Sequence, residues 1–231
     1  MDNKIPVYRH EFKYVVSASQ LILIENRIKN LMEMDVHTGN KGMYNIRSLY
    51  FDDYYDRCLY ENINGTDPRE KFRIRIYNHS RDRITLECKR KQNGKTLKTS
   101  CPLSEEQTRI LMKGRALSNI AEQPPLLQKF TVEMLSRGLH PVTIVEYDRI
   151  PYIYKNGNVR VTLDMNISSS KSVLSFLDDV IPKRPVMPAG QHLLEVKYDE
   201  YIPDFIYKSI RPENLKYTAY SKYYMCRKYT L

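Results

Sequence analysis

Long cations recur at every second position in segment after segment of this sequence, with Phe, Ile, Val or Leu between them. Alternate side chains of a β-strand point to opposite faces, so residues two apart share a face. Arg9, Glu11 and Lys13 fall together in the first such segment. Lys71, Arg73 and Arg75 share a face, with Phe72, Ile74 and Ile76 opposite. Glu87, Lys89 and Lys91 line up in the next segment, and Glu195 and Lys197 in the last. Arg160, Thr162 and Asp164 alternate with Val159, Val161 and Leu163, while Tyr147 and Arg149 share a face before them.

Segments rich in β-branched and aromatic residues predict strands over 7–16, 44–51, 71–78, 83–91, 95–103, 142–150, 159–167 and 192–200. Asn93-Gly94 predicts a hairpin, and Asn156-Gly157 a turn before Val159. Between strands, Ser17 or Ser19 is placed to cap a helix running to about Met34, with Leu21, Ile24, Ile28 and Leu31 on one face. Ser104-Glu105-Glu106-Gln107 is a capping box for a helix stopping at Gly114. Further helices are expected from Pro124 to Leu135, ending near Gly138, from Lys171 to Asp179, and briefly from Pro203 to Ile210. Asn62–Arg69 and Ile181–Gln191 read as loops.

Amphipathic helices need an apolar sheet face to cover, and the Phe, Ile, Val and Leu faces supply it. The charged faces then turn away from the helices. A merely solvated face would carry more Ser, Thr and Gln and a more even mix of charge. The fold class expected is α+β: a closed or nearly closed antiparallel eight-stranded β-barrel with helices packed outside. The interior of such a barrel is just large enough for one small ligand. Cations gathered there are costly unless a multivalent anion joins them. Phosphate oxygens suit Lys and Arg donors well.

A chain of 231 residues, 42% of them hydrophobic, is long enough for one sizeable core. With no repeat, linker or composition break, residues 1–231 are expected to form a single domain. The 37 basic residues against 27 acidic give a net charge of +10, which calls for an anionic partner. Cys58, Cys88, Cys101 and Cys226 are scattered without metal-site spacing, so reduced thiols and a cytoplasmic location are expected. Met1–Asp2–Asn3–Lys4 leads into a polar segment rather than a secretory signal. No apolar run approaches the roughly 18 residues of a membrane span, so any membrane role would need a partner protein.

Several of these residues, in order, resemble the VTC-type polyphosphate polymerase domain of the triphosphate tunnel metalloenzymes, over about Tyr8 to Tyr224. The motifs are Arg9…Lys13-Tyr14, Tyr50-Phe51-Asp52, the Arg73 and Arg75 pair, Glu87-Cys88-Lys89, Lys98, Arg149, Arg160, Glu195 in Leu-Leu-Glu-Val-Lys, and Ser221-Lys222. One departure is Ala219, where the family carries another lysine just before the Ser-Lys pair. The resemblance implies transfer of the γ-phosphoryl group of ATP to a growing polyphosphate. It casts Arg73, Arg75, Lys89, Arg149 and Arg160 as the catalytic cations, holding phosphates in line and neutralising charge. Arg9, Lys13, Lys98, Lys197, Ser221 and Lys222 would contact the triphosphate or polyphosphate, and Glu195, with Glu11 and Glu87, would hold Mn²⁺ or Mg²⁺.

Three other readings stay open on sequence alone. A tunnel triphosphatase would use the same face to hydrolyse its substrate, and a receptor would bind polyphosphate or inositol phosphates without turnover. Nucleic-acid binding has nineteen tyrosines available for base stacking. The cations, however, follow strand parity rather than a continuous basic run, so no specific nucleic acid is expected. Tyr50–Asp56 reads as a strand end and exposed turn rather than a metal cluster. Asp164, on the Arg160 face, reads as an ion-pair partner before a metal ligand.

Overall fold

All eight predicted strands form, and a computed structural model of the chain describes them within residues 7–211 and 215–228. Met1–Asp2–Asn3–Lys4, read above for the absence of a signal, lies outside the described residues. In chain order the elements are β1 (His10–Ser17), α1 (Ala18–Ile28), β2 (Glu33–Met34), β3 (Tyr44–Asp52), α2 (Arg57–Ile63), β4 (Arg69–Tyr77), β5 (Ile84–Gln92) and β6 (Lys95–Leu103). There follow α3 (Glu105–Met112), α4 (Pro125–Arg137), β7 (His140–Tyr154), β8 (Val159–Ser170), β9 (Arg184–Pro185), β10 (Gln191–Tyr198), α5 (Asp204–Ile210) and α6 (Lys222–Lys228). The sheet is antiparallel, and its hydrogen-bonded path runs β1-β10-β8-β7-β3-β4-β5-β6. The two short strands lie off this path, β2 on β7 and β9 on β8. The α+β class holds; among the described residues the path is open, ending at β1 and β6 rather than closing on itself.

The residues divide into two compact units. Of the described residues, the first comprises 7–45, 147–167, 187–211 and 215–220, and the second 46–146, 168–186 and 221–228. In the first, Leu21, Ile24 and Ile28 of α1 and Ile206 and Ile210 of α5 bury against Tyr14, Val16, Val161, Leu163, Leu194 and Val196. In the second, Leu111 of α3 and Leu127, Phe130 and Met134 of α4 bury against Leu49, Phe51, Phe72, Ile74, Ile76 and Leu86. Phe130 packs edge-on to Phe51 at 4.9 Å between ring centroids. Each unit therefore covers the apolar parity of its strands with helices and leaves the charged parity on the other face.

Local signals behave as their chemistry requires. Ser17 and Ser104 each close a reciprocal capping box, with Gln20 and Gln107. Asn93 and Gly94 both adopt positive φ, 51° and 73°, the conformation that a two-residue hairpin between β5 and β6 demands. Gly138 ends α4 at φ 67°.

Two expected helices fall short. Helix α1 ends at Ile28 rather than near Met34, and the Leu31 N–H closes a tightened i→i−3 turn on the Ile28 carbonyl. Glu33 and Met34 then pair with Ile153 and Tyr152 as a strand, leaving Leu31 exposed. From Lys171 to Asp179 only a short 3₁₀ turn forms, Val173–Ser175. Arg47 explains this: its guanidinium donates to the carbonyls of Phe176, Asp178 and Asp179, which a continuing helix would spend on its own ladder.

Arg47 is itself 1% exposed, on the helix-covered parity of β3, and its Nε lies 2.5 Å from Glu146 of β7. Lys183 also donates to Glu146. Burial favours the neutral acid, yet these two cations hold the Glu146 carboxyl below the usual carboxylate range. Glu146→Leu leaves the Arg47 charge buried without its carboxylate. It should lower unfolding stability by about 3–5 kcal/mol, read as a shifted urea midpoint at unchanged slope.

Candidate functional site

Register builds the charged face of the second unit row by row. Across β3, β4 and β5, Ser48 stands opposite Arg75 and Thr85, and Tyr50 opposite Arg73 and Glu87. Lys71, Lys89 and Lys98 form the next row, across β4, β5 and β6. Three cations converge on one carboxylate. Arg73 donates to Glu87 Oε2 from Nε at 2.8 Å and Nη2 at 2.7 Å, Arg75 Nη1 lies 3.7 Å from the same oxygen, and Lys98 Nζ sits 3.0 Å from Oε1. Arg73 also donates to the Tyr50 hydroxyl and Arg75 to Ser48 Oγ. Glu87 is 2% and Arg75 6% exposed, which rules out a simply solvated face. Burial alone would raise the Glu87 pKa, but Arg75, Arg73 and Lys98 together drive it far below the usual range, so the carboxylate stays ionised.

The motif Tyr50-Phe51-Asp52 ends β3 beside this face. Asp52 is fully buried and accepts N–H bonds from Asp53, Cys58 and Leu59, while Asp53 accepts from Tyr55 and Arg57. These carboxylates thus cap α2, as a structural turn would, and hold no metal cluster. The Tyr223 hydroxyl of α6 donates to Asp52 as well. Burial and the Asp52 charge push the Tyr223 phenol far above its ordinary pKa, so it remains a donor. Its ring packs at a tilt of 36° against Tyr50, 5.1 Å between centroids, and lies 5.0 Å beneath the Lys71 ammonium. Ser221 accepts the Tyr224 N–H at the start of α6, where Lys222 is the first residue.

The first unit carries a different set, in which cations and carboxylates are matched. Glu11 of β1 stands opposite Lys197 of β10 and Arg160 of β8, and Lys13 opposite Glu195 and Thr162. Lys13 lies 2.7 Å from Glu11 and 3.8 Å from Glu195, and Lys197 lies 2.7 Å from Glu195 and 3.9 Å from Glu11. Arg149 grips Asp164 with two donors, at 2.6 and 2.8 Å, and approaches Glu195 at 3.7 Å. Burial disfavours the Arg149 charge, but Asp164 above all holds it protonated. Asp164 is thus an ion-pair partner, of Arg149 rather than of Arg160. Arg160 reaches Asp35 at 2.6 Å and the Tyr44 hydroxyl at 2.9 Å instead. Arg9, just before β1, pairs with Asp199 and the Asn158 carbonyl, apart from the Glu195 group.

The same parity on β3 places Ser48, which no motif marks, beside Tyr50 and the arginines. Asp35 and Tyr223 carry no such signal, one lying beyond α1 and the other in α6, for which no helix is expected from the sequence.

Among the described residues, no group of three or more His, Cys, Asp or Glu side chains is placed to hold a metal ion. Glu11 and Glu195, which share the same two lysines, form an oxygen-donor pair. A Mg²⁺ or Mn²⁺ ion that keeps waters and takes phosphate oxygens needs only one or two carboxylates. The donor set fits such an ion in the first unit. All four cysteines are free thiols, and burial raises the Cys88 and Cys226 pKa values to about 12. No described helix is long and apolar enough to cross a membrane.

The family model of the VTC domain matches residues 8–231. The chain belongs to the VTC domain family. No curated protein matches it in sequence. Among solved structures, this VTC chain is similar to a Hippeastrum protein described as a candidate adenylyl cyclase with a dominant triphosphatase activity: 14% identity, 97% of each chain covered, TM-score 0.55. It also matches a candidate adenylate cyclase from Bacillus halodurans, at 16% identity over 87% of this chain and 86% of that one, TM-score 0.48. A Pyrococcus horikoshii protein matches at 14% identity over 96% and 99%, TM-score 0.49. At such identities the Hippeastrum likeness speaks for the fold alone.

Because the folded state holds Glu87 ionised far below the usual range, its stabilising contribution is complete above the unfolded pKa of roughly 4.3. It is lost as pH falls from there toward the folded value. Wild type should exceed Glu87→Gln in stability by a constant margin near neutrality, and the margin should shrink below about pH 4. Urea titrations of both forms across this range check it; a margin that grows on acidification contradicts the assignment.

Proposed function

We propose that this VTC domain transfers the γ-phosphoryl group of ATP to the end of a growing inorganic polyphosphate chain. The observation that carries the reading is the convergence of Arg73, Arg75 and Lys98 on Glu87, with Lys71 and Lys89 in the adjoining row. These five cations face one carboxylate, a charge excess suited to a multivalent phosphate. Membership of the VTC family supports the same substrate class.

In this reading Glu87 is the internal counter-ion that keeps the cations from repelling one another before substrate arrives. Phosphate oxygens then take up the Arg73, Arg75, Lys89 and Lys98 donors. Phosphoryl transfer depends mainly on alignment and charge stabilisation, and the accepting phosphate oxygen is already ionised at neutral pH. No strong general base is needed, which accords with a cation-rich face. In the first unit Arg149, locked by Asp164, and Arg160, locked by Asp35, supply fixed positive charge; Lys13, Lys197 and Arg9 bind phosphate oxygens. Ser221 and Lys222, at the start of α6, contact the substrate chain. Glu195 and Glu11 would hold Mg²⁺ or Mn²⁺, which supplies charge neutralisation at the transferring phosphoryl group.

A triphosphatase is the second reading, favoured by the Glu11–Glu195 pair, whose two carboxylates lie within reach of the same ammonium groups. Incubation with ATP and Mn²⁺, followed by assay of both long-chain product and free orthophosphate, separates the possibilities. A polymerase builds chain, a triphosphatase releases orthophosphate without chain, and a receptor does neither. Glu195→Gln should cut chain formation roughly hundredfold or more while metal-free tripolyphosphate binding persists or strengthens. Arg75→Ala should weaken that binding. Undiminished synthesis by Glu195→Gln removes this residue from the mechanism.

A further inference from the structure

The cationic face of the second unit does not stop at the three cations that surround Glu87. Beyond the Arg73–Glu87 row comes Lys71–Lys89–Lys98, and beyond that Arg69–Lys91–Thr96, all in register on β4, β5 and β6. The strands then end at the Asn93-Gly94 turn, whose two N–H groups are clamped by the Asp67 carboxylate at 3.0 Å each. No carboxylate of this parity stands on the three strands past Glu87. Asp52, which ends β3 on the same parity, has its oxygens engaged by backbone N–H groups and Tyr223.

Burial is kept along this face: Arg75 is 7% and Arg73 15% exposed in their side chains, Lys71, Lys89, Arg69 and Lys91 are half-buried like Arg73, and Lys98 is 53% exposed. Lysines on an edge strand often serve only to discourage sheet-to-sheet pairing. That explanation covers Lys98 on β6 but not Lys89 and Lys91 on β5, which pair with β4 on one side and β6 on the other.

We propose that Arg69 and Lys91, continuing the Lys71–Lys89–Lys98 row, form an extension subsite for linear polyphosphate longer than three units, leading the polymer toward the Asn93-Gly94 turn. Two rows cover four residues of strand, about 13 Å, room for several further phosphates of an extended chain. The inference rests on the reading of the Glu87 face as a phosphate site. It adds chain-length selectivity and a direction for the polymer: a triphosphate seated at Arg73 and Arg75 does not need the outer row, whereas a longer chain does.

The double variant Arg69→Gln, Lys91→Gln tests this, with binding of tripolyphosphate and of long-chain polyphosphate measured by calorimetry at several salt concentrations. Wild type should bind the long chain more tightly. The variant should keep its tripolyphosphate affinity and its melting temperature while losing long-chain affinity roughly tenfold, the worth of one charge-assisted contact. Its log–log salt dependence for the long chain should become shallower by about one for each charge removed. Equal losses for both ligands, or none for the long chain, overturn the subsite and leave the phosphate reading standing. Single-stranded RNA weakened by the same factor also overturns it, since the row would then be a general polyanion surface. Wild type that binds neither phosphate ligand defeats the underlying reading itself.

Discussion

The carboxylate of Glu87 makes the charged face of the second unit possible. Two guanidinium groups and an ammonium surround it on a surface largely withdrawn from water, and without a negative partner such a group of cations would repel and resist burial. One carboxylate cannot balance them, and the residue of positive charge is what a phosphate chain would meet. The opposite parity of the same strands is fixed by hydrophobic burial under α3 and α4. Slipping any of these strands by one residue would bring its cations under the helices and its Phe and Ile side chains onto the charged face. Core and site are therefore two sides of one register.

The two units solve the electrostatic problem differently. In the first, Lys13 and Lys197 interleave with Glu11 and Glu195, Arg149 is locked by Asp164, and Arg160 by Asp35. This face is nearly self-neutralised and rich in oxygen ligands. In the second unit, lysines and arginines outnumber carboxylates and their excess grows toward the Asn93-Gly94 turn. The first unit thus carries matched carboxylates and the second the excess positive charge.

Much of this was legible in the sequence because it depends on period-two patterning and on short capping motifs. Val, Ile, Phe and Tyr runs mark every long strand, and the Lys71–Arg73–Arg75 alternation marks the parity opposite the helix-covered core. What escaped depended on contacts distant in sequence. Helix α2 begins after Asp56, which makes no side-chain cap; its caps are Asp52 and Asp53, too far upstream to read as an N-cap signal. The helix expected from Lys171 to Asp179 gave way to Arg47, more than a hundred residues earlier, whose donors claimed its carbonyls. Asp164 shared a parity with Arg160, but pairing across the sheet gave it to Arg149.

If the cationic face of the second unit binds a multivalent phosphate, rather than serving as a charged layer of the scaffold, tripolyphosphate stabilises the folded protein. Thermal unfolding of the wild-type protein against increasing tripolyphosphate, at fixed ionic strength, reads this out. A ligand that binds only the folded state stabilises by RT ln(1 + [L]/Kd), so the melting temperature should climb steadily with the logarithm of ligand concentration once the site is filled. Orthophosphate at matched ionic strength should do far less, having too few oxygens to span neighbouring cations. A melting temperature indifferent to tripolyphosphate, or raised equally by orthophosphate, would contradict the account.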